Sequence, residues 1–415
     1  MAELIRRLDV RDAVVVGAGS MVGAGVFAVW APAAAAAGNW LLVGLLIAGI
    51  VATCNATSSA QLAARHPESG GTYVYASIRL GPSWGHVAGW GFVVGKTASI
   101  AAMASVVGAH IWADRADLVA SISIVIVTVI NIGGLERTVG VTRILLVVAL
   151  ATIGICVAAG LTGGPATTMA VDINIDGGVF GVIRSAGLLF FAFAGYARIA
   201  TLGEEVIDPA RTIPRAVPRA LGAILALYAV VGAVVISHLG STGLAASATP
   251  VADVVATRGW RWAEPIVAAG ATVASAGVML NLVPGVARTV LAMARRGDMP
   301  RILAHIDTRR SLPLRAEFTV AVVAIIVVNA VSLTSSIAVS GVAVLTYYAL
   351  TNAAALKLQP SELLWPRWVA RLGLLGCVGL IVSLPTSSLI GGGAVLVSGI
   401  GVRFLAVRRR TSTVA

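Results

Sequence analysis

Few stretches of this chain carry residues that can do chemistry, and the first is a glycine run. Gly17-Ala-Gly-Ser-Met-Val-Gly-Ala-Gly-Val-Phe27 puts four glycines into nine positions of an otherwise apolar segment. Each glycine costs a helix roughly 1 kcal/mol relative to Ala, so the run marks a break in a helix. In a bilayer, the N–H and C=O groups freed by a break must meet protein, water or a polar ligand. Gly17 to Gly25 is therefore a candidate binding segment. A packing contact through Gly19-x-x-x-Gly23 is the alternative. A dinucleotide fingerprint is excluded, because the spacing is G-x-G-x-x-x-G and no strand precedes it.

Charges inside apolar segments come next. Lys96 lies about twelve residues beyond Trp84, roughly 18 Å into its span at 1.5 Å per residue, near the middle of a bilayer. A cation at that depth must face protein or a wet cavity, and it is a candidate for coupling, with a structural ion pair as the alternative. Arg198 is a second such charge. Glu204 and Glu205 open a charged, proline-punctuated exit, Glu204-Glu-Val-Ile-Asp-Pro-Ala-Arg-Thr-Ile-Pro-Arg215. They would form an inner gate with Arg137, Arg143 or Arg211, or cap a helix in water. Nothing points to an enzyme. There is no H-E-x-x-H, none of the 5 His is paired at ligand spacing, and the three cysteines, Cys54, Cys156 and Cys377, lie far apart in apolar segments. Neither a catalytic residue, a metal nor a cofactor is expected.

The elements that position these residues follow from composition. With 58% hydrophobic and 12% charged residues, the chain is an all-α polytopic membrane protein. Apolar lengths predict twelve spans at about 13–37, 41–64, 84–112, 117–134, 142–163, 179–203, 216–239, 265–293, 316–334, 336–357, 368–384 and 386–406. The net charge of +12 does not signal nucleic acid, since the arginines concentrate in alternate loops. Arg6, Arg7 and Arg11, the Arg295–Arg315 loop, and Arg408 to Arg410 fall on one side, and only Arg115, Arg258 and Arg261 on the other. By the positive-inside rule both termini are cytoplasmic. The loop from Ala64 to Gly81 is expected to be turn-rich and then amphipathic along the membrane surface.

The sixth span repeats the anomaly of the first, with Phe190-Phe-Ala-Phe-Ala-Gly-Tyr196 at mid-membrane. With alternating crossings, a shift of five spans inverts topology, so spans 1–5 and 6–10 suit an inverted repeat with interrupted helices in corresponding positions. The expected division is 1–163 and 164–357 for the two repeats, and 358–415 for two further helices and a short tail.

The first-span run, Pro67-Glu-Ser-Gly-Gly-Thr-Tyr73, the sixth-span run through Glu204-Glu205 with Pro209-x-Arg211-x-x-Pro214, and Arg288-x-x-Leu-Ala-Met-Ala-Arg295 with Gly297-Asp-Met-Pro300 together resemble the amino acid–polyamine–organocation (APC) superfamily of permeases. The resemblance implies a LeuT-like 5+5 fold with broken helices 1 and 6, plus two C-terminal helices. It implies that amides of Gly23, Ala24 and Gly25, beside Val22, receive an amino acid's carboxylate, and that carbonyls near Met21, Phe191, Ala192 and Ala194 receive its ammonium. N–H groups at the start of a half-helix suit an anion. Phe193 resembles the aromatic that shuts such sites, with core packing as its other role. Two departures stand out: the fifth-span lysine of many proton-coupled members falls near Ala149, and Ala197 replaces an acid after the sixth-span Gly-aromatic pair.

The resulting expectation is a secondary active transporter of an amino acid or small amine in the cytoplasmic membrane, working by alternating access, with a proton as a possible co-substrate. Lys96 would replace the missing lysine, tethering the first and eighth spans or carrying the proton. The alternatives are an obligate amino acid/amine exchanger, in which no ion binds, and a transporter-derived nutrient sensor, which would need a signalling extension that the short termini do not offer.

Overall fold

The computed structural model describes residues 8–411 except 67, 69, 134, 163–177, 197–198, 200–205 and 248; at some helical positions, Ala24 and Ala194 among them, only the backbone is described. Among the described residues the fold is helical, with two isolated β-bridges, Leu8 to Val206 and Asp307 to Leu312. The elements are α1 (Val10–Met21), α2 (Ala24–Ala28), α3 (Trp30–Ala37), α4 (Leu41–Arg65), α5 (Thr72–Arg79), α6 (Pro82–Ile111), α7 (Ala116–Ile132), α8 (Leu135–Leu161) and α9 (Gly178–Phe193). The second part holds α10 (Pro209–Ala246), α11 (Pro250–Thr257), α12 (Glu264–Arg296), α13 (Leu314–Ala330), α14 (Leu333–Ala355), α15 (Arg367–Ser383) and α16 (Thr386–Thr411).

Among the described residues, six helical stretches are long and apolar enough to cross a membrane, and α15 with α16, bent by 117° at Leu384-Pro385, makes a seventh if counted as one. The polytopic class therefore stands on length and composition. Helices α7 and α9 are apolar but shorter, and breaks divide others, so helix length alone does not yield twelve.

Helix α6 is the centre of the bundle. Its apolar window is 78% buried, and it carries hydrophobic residues on all sides, the pattern of an interior helix. Because lipid supplies no hydrophobic drive between helices, close approach through small residues holds such a helix in place. Gly95 lies where a Cβ would stand 2.9 Å from the Ala343 Cβ on α14, and Ser99 Oγ shares a 2.7 Å hydrogen bond with Ser340 Oγ. Gly91, Gly95 and Ser99 thus form one closely packed face of α6 against α14.

Two segments differ from the sequence reading. Helix α10 begins at Pro209 rather than near 216, because a proline in the first turn needs no N–H partner, and it runs through Pro214 and Pro218 before kinking at Gly240 (φ 64°). Helix α5 is not a free surface helix. Thr72 to Ala76 are buried, the Thr72 N–H donates to Tyr347 Oη at 3.1 Å, and the Thr72 and Thr351 hydroxyls meet at 2.6 Å. Its second anchor is Tyr73, whose hydroxyl donates to Asp298 Oδ2 at 2.7 Å.

Candidate functional site

The first helix breaks where the glycines predicted. Helix α1 ends at Met21, Val22 and Gly23 are extended, and α2 starts at Ala24. Beyond the break the helix continues through Val29 into α3, since the Val29 N–H donates to Gly25 O and the Ala33 N–H to Val29 O. This leaves the N–H groups of Gly23, Ala24 and Gly25 at the start of a helix, where no preceding turn can accept them. Val26, one residue on, already bonds back to Gly23 O at 3.0 Å.

The second break sits against the first. Helix α9 ends at Phe193 and tightens into a 3-10 turn, Ala194–Tyr196. A Cβ on Gly25 would lie 2.9 Å from the Cα of Ala192, and one on Gly195 would lie 2.7 Å from the backbone N of Met21 and overlap the carbonyl of Ser20. Each break therefore presses a glycine onto the other's backbone. The remaining glycines of the run meet other partners, Gly17 facing Ile199, Gly19 facing Thr142 of α8, and Gly23 facing Val278 of α12. A Cβ on Gly19 would also lie 3.9 Å from Asn281 of α12, the helix that Gly23 faces, so packing through Gly19-x-x-x-Gly23 stands beside the break rather than in place of it.

Tyr228, midway along α10, ties the breaks together. Its hydroxyl is shared between Met21 O at 2.7 Å and Ala192 O at 3.2 Å, while its ring meets Phe193 (centroids 5.1 Å apart) and Trp30 (6.5 Å). The sequence reading missed this residue, whose only signal was a lone phenol in mid-span. Phe193 is fully buried in this aromatic group.

Lys96 joins the same centre. A cavity of ≈ 20 Å³ is lined by Lys96, Ser99 and Met103 of α6, Ser20, Met21 and Gly25 of the first break, Phe191, Ala192 and Gly195 of the second, and Val278 and Leu282 of α12. The volume holds about one water. The lysine is buried at the junction of α1, α2, α9 and α12, adjoining both the first and the eighth spans. Ala149 is fully buried in α8, between Leu145, which faces Gly277, and Thr152, which faces Gly270.

Above this centre lies a vestibule of ≈ 470 Å³, at the bundle end away from Leu8 and Val206. Its walls include Phe27, Pro32, Val106, His110, Pro250 of α11 and Val267. Phe191 lines both the vestibule and the inner cavity. At the opposite end the Leu8–Val206 bridge, an ion pair between Asp12 and Arg143, and Tyr73 with Asp298 hold the bundle together. Arg198, Glu204 and Glu205 lie outside the described residues. Of their proposed partners, Arg143 pairs with Asp12 and Arg211 with Asp208.

Comparison with known proteins gives the same direction. A family profile described as amino acid permease matches residues 12–399. An uncharacterized transporter of Mycobacterium tuberculosis is 51% identical over 407 residues, covering 98% of this chain and 92% of the relative. A branched-chain amino acid permease of Bacillus subtilis is 23% identical over 441 residues, with 98% and 94% covered. A vacuolar cationic amino acid transporter of Arabidopsis thaliana is 27% identical over 354 residues, with 78% and 58% covered. With two interrupted helices pressed together beneath a vestibule, and a profile spanning nearly its whole length, the chain belongs to the amino acid permease family of transporters, within the APC superfamily.

Proposed function

We propose that the protein is a secondary active transporter that carries an amino acid with an uncharged, apolar side chain across the cytoplasmic membrane by alternating access. The observation that carries this reading is the junction of the two breaks, directly beneath Phe191 and the vestibule. The substrate carboxylate docks on the N–H groups of Gly23, Ala24 and Gly25, where the helix dipole favours an anion. The ammonium takes carbonyls at Met21, Phe191, Ala192 and Ala194, two of which Tyr228 holds in position. Hydrogen bonds to charged groups contribute roughly 1.5–3 kcal/mol each, so several offset desolvation of the zwitterion. Phe191 is the outer gate in this reading, and Phe193 supports the junction from behind.

The side-chain preference follows from the lining. Vestibule and inner cavity present Lys96 and His110 but no carboxylate among the described residues. A cationic side chain would find no counter-charge and would be repelled by the lysine. The branched-chain permease is accordingly the better guide to the substrate than the cationic transporter.

The arrangement is a 5+5 inverted repeat, 1–163 and 164–357, followed by two helices, with both termini cytoplasmic. The corresponding breaks after Met21 and Phe193 support the repeat, and the arginine asymmetry supports the orientation. Lys96 is the coupling residue, loading a proton during the cycle. Obligate exchange is the second reading, favoured by the buried Ala149 where many coupled members carry lysine. Uptake into proteoliposomes, screened across leucine, isoleucine, valine, alanine, glutamate, lysine and arginine with and without a pH gradient, tests both. Uptake of lysine or arginine in preference to the aliphatic amino acids would refute the side-chain assignment.

A further inference from the structure

A second cavity, of ≈ 370 Å³, lies apart from the transport path on the flank of the bundle. It is walled by α6 (Trp90, Val93), by Val290 of α12, by α13 (Thr319, Val323, Val327) and by Val395 of α16, and it is floored by Met299 and Leu303. Besides Ser336, its polar groups are used within the fold: Thr97 Oγ1 donates to Val93 O at 2.7 Å, Thr319 Oγ1 to Arg315 O at 2.8 Å, and Trp90 Nε1 to Val395 O at 2.8 Å. Such a lining suits hydrocarbon. From Thr319 to Val331 the groove follows α13 for about 18 Å at 1.5 Å per residue, slightly more than one leaflet of a hydrocarbon core about 30 Å thick.

One end of the groove is strongly charged. Met299 and Leu303 flank the exposed Arg301, and the exposed Arg315 stands one turn before Thr319. The connecting segment from Arg295 to Arg315 holds six arginines and two aspartates. Beside Arg301, the apolar Ile302 is 62% exposed. Hydrocarbon alone cannot explain selective occupancy, because lipid tails lose nothing by leaving the bilayer for an apolar wall. Selection must come from the arginines.

We propose that this groove is a binding site for one anionic glycerophospholipid, with an acyl chain along α13 and its phosphate between Arg301 and Arg315. The lipid would brace α13 against α6 and α16. The proposal is independent of the substrate and of the coupling mechanism.

The test is retention of lipid by the purified protein. Native mass spectrometry after incubation with equal amounts of phosphatidylglycerol and phosphatidylcholine, identical in acyl chains, should find the anionic lipid retained roughly tenfold over the zwitterionic one, on the scale expected for two surface arginines. Val323→Trp, at a position 42% exposed, fills the groove without disturbing the core and should cut that retention at least fivefold; Arg301→Gln with Arg315→Gln should equalise the two lipids. Equal retention by the wild type, or undiminished retention by Val323→Trp, overturns the proposal. If the variants fold poorly, the wild type alone decides: phosphatidylglycerol bearing a photoreactive acyl group should label peptides containing 90–98 and 319–331. Labelling confined to other surfaces, or a dimer that covers the groove and excludes both lipids, overturns it as well.

Discussion

Gly25→Ala is the smallest change that interrogates the junction of the two breaks. The added Cβ would lie 2.9 Å from the Ala192 Cα and 3.1 Å from its Cβ. Carbon atoms prefer about 3.5–4.0 Å, so α2 and α9 must separate by roughly 0.6–1 Å. The obstacle is backbone, which cannot rotate away as a side-chain tip can. Overpacking of this kind costs about 1–3 kcal/mol. In the proposed cycle a state with the junction closed is obligatory, so the cost would fall on that state. At about 1.4 kcal/mol per decade, turnover should fall roughly 5- to 100-fold. Counterflow exchange in proteoliposomes, normalised to folded protein by size exclusion, measures it. Gly222→Ala is the control, because nothing lies within 4 Å of a Cβ there; it should exchange at the wild-type rate and gain up to about 1 kcal/mol of helix stability. Wild-type exchange by Gly25→Ala would refute the closed junction as a step of the cycle.

Lys96→Met should abolish pH-driven uptake while sparing exchange, and full pH-driven accumulation by the variant would remove the lysine from coupling. Tyr228→Phe removes the hydroxyl shared by Met21 O and Ala192 O. Interhelical hydrogen bonds in membranes contribute about 0.6–1.7 kcal/mol, so binding should weaken roughly 3- to 15-fold; unchanged affinity in an isotherm would show that those carbonyls need no support. Replacing Na⁺ by choline should leave uptake intact, because no carboxylate lines the vestibule or the inner cavity among the described residues to balance the cation; collapse of uptake would reverse this. At the surface, the hydrogen bond from Arg79 holds the Glu362 carboxyl down at about 2, from an ordinary value of 4.5. A depressed carboxylate contributes stability in full above its unfolded value and loses it as pH falls through the folded one. The difference in thermal stability between wild type and Glu362→Gln should therefore be constant from pH 8 to about 5 and vanish only toward pH 2, and a difference that vanished already above pH 5 would exclude the pair as its source.

The breaks were legible because glycine and aromatic residues interrupt apolar runs whose lengths otherwise announce helices. The depth of Lys96 was legible from rise per residue. What the sequence hid was the relation between elements. That Gly25 meets Ala192, or that Tyr228 reaches across to two carbonyls, depends on how α2, α9 and α10 are placed, and no local pattern encodes it. Phe191 and Phe193 are nearly equivalent by composition, yet a two-residue step on a helix turns one ring toward the vestibule and the other onto Tyr228. The burial of α5 was similarly hidden, since its anchors, Tyr347, Thr351 and Asp298, lie more than two hundred residues away in the chain.

The two ends of the bundle are closed by different kinds of interaction, and this bears on how the cycle is driven. At the vestibule, the proposed closure over the inner cavity is the Phe191 ring, a side chain that can change rotamer without breaking a hydrogen bond. At the other end, closure rests on the Leu8–Val206 bridge, the Asp12–Arg143 pair and the Tyr73–Asp298 hydrogen bond, which join α1, α8, α5 and the segment after α12. Opening that end requires several polar contacts to be given up together, each modest in water but concerted. A substrate can supply the difference only by binding more tightly to the state in which they are broken. The element that links the two regions is α1, whose inner end carries Asp12 and whose other end presents the Met21 carbonyl at the junction. Under the transport cycle proposed above, occupancy at the junction and release of the inner end would be one equilibrium, with Lys96 placed where both breaks meet.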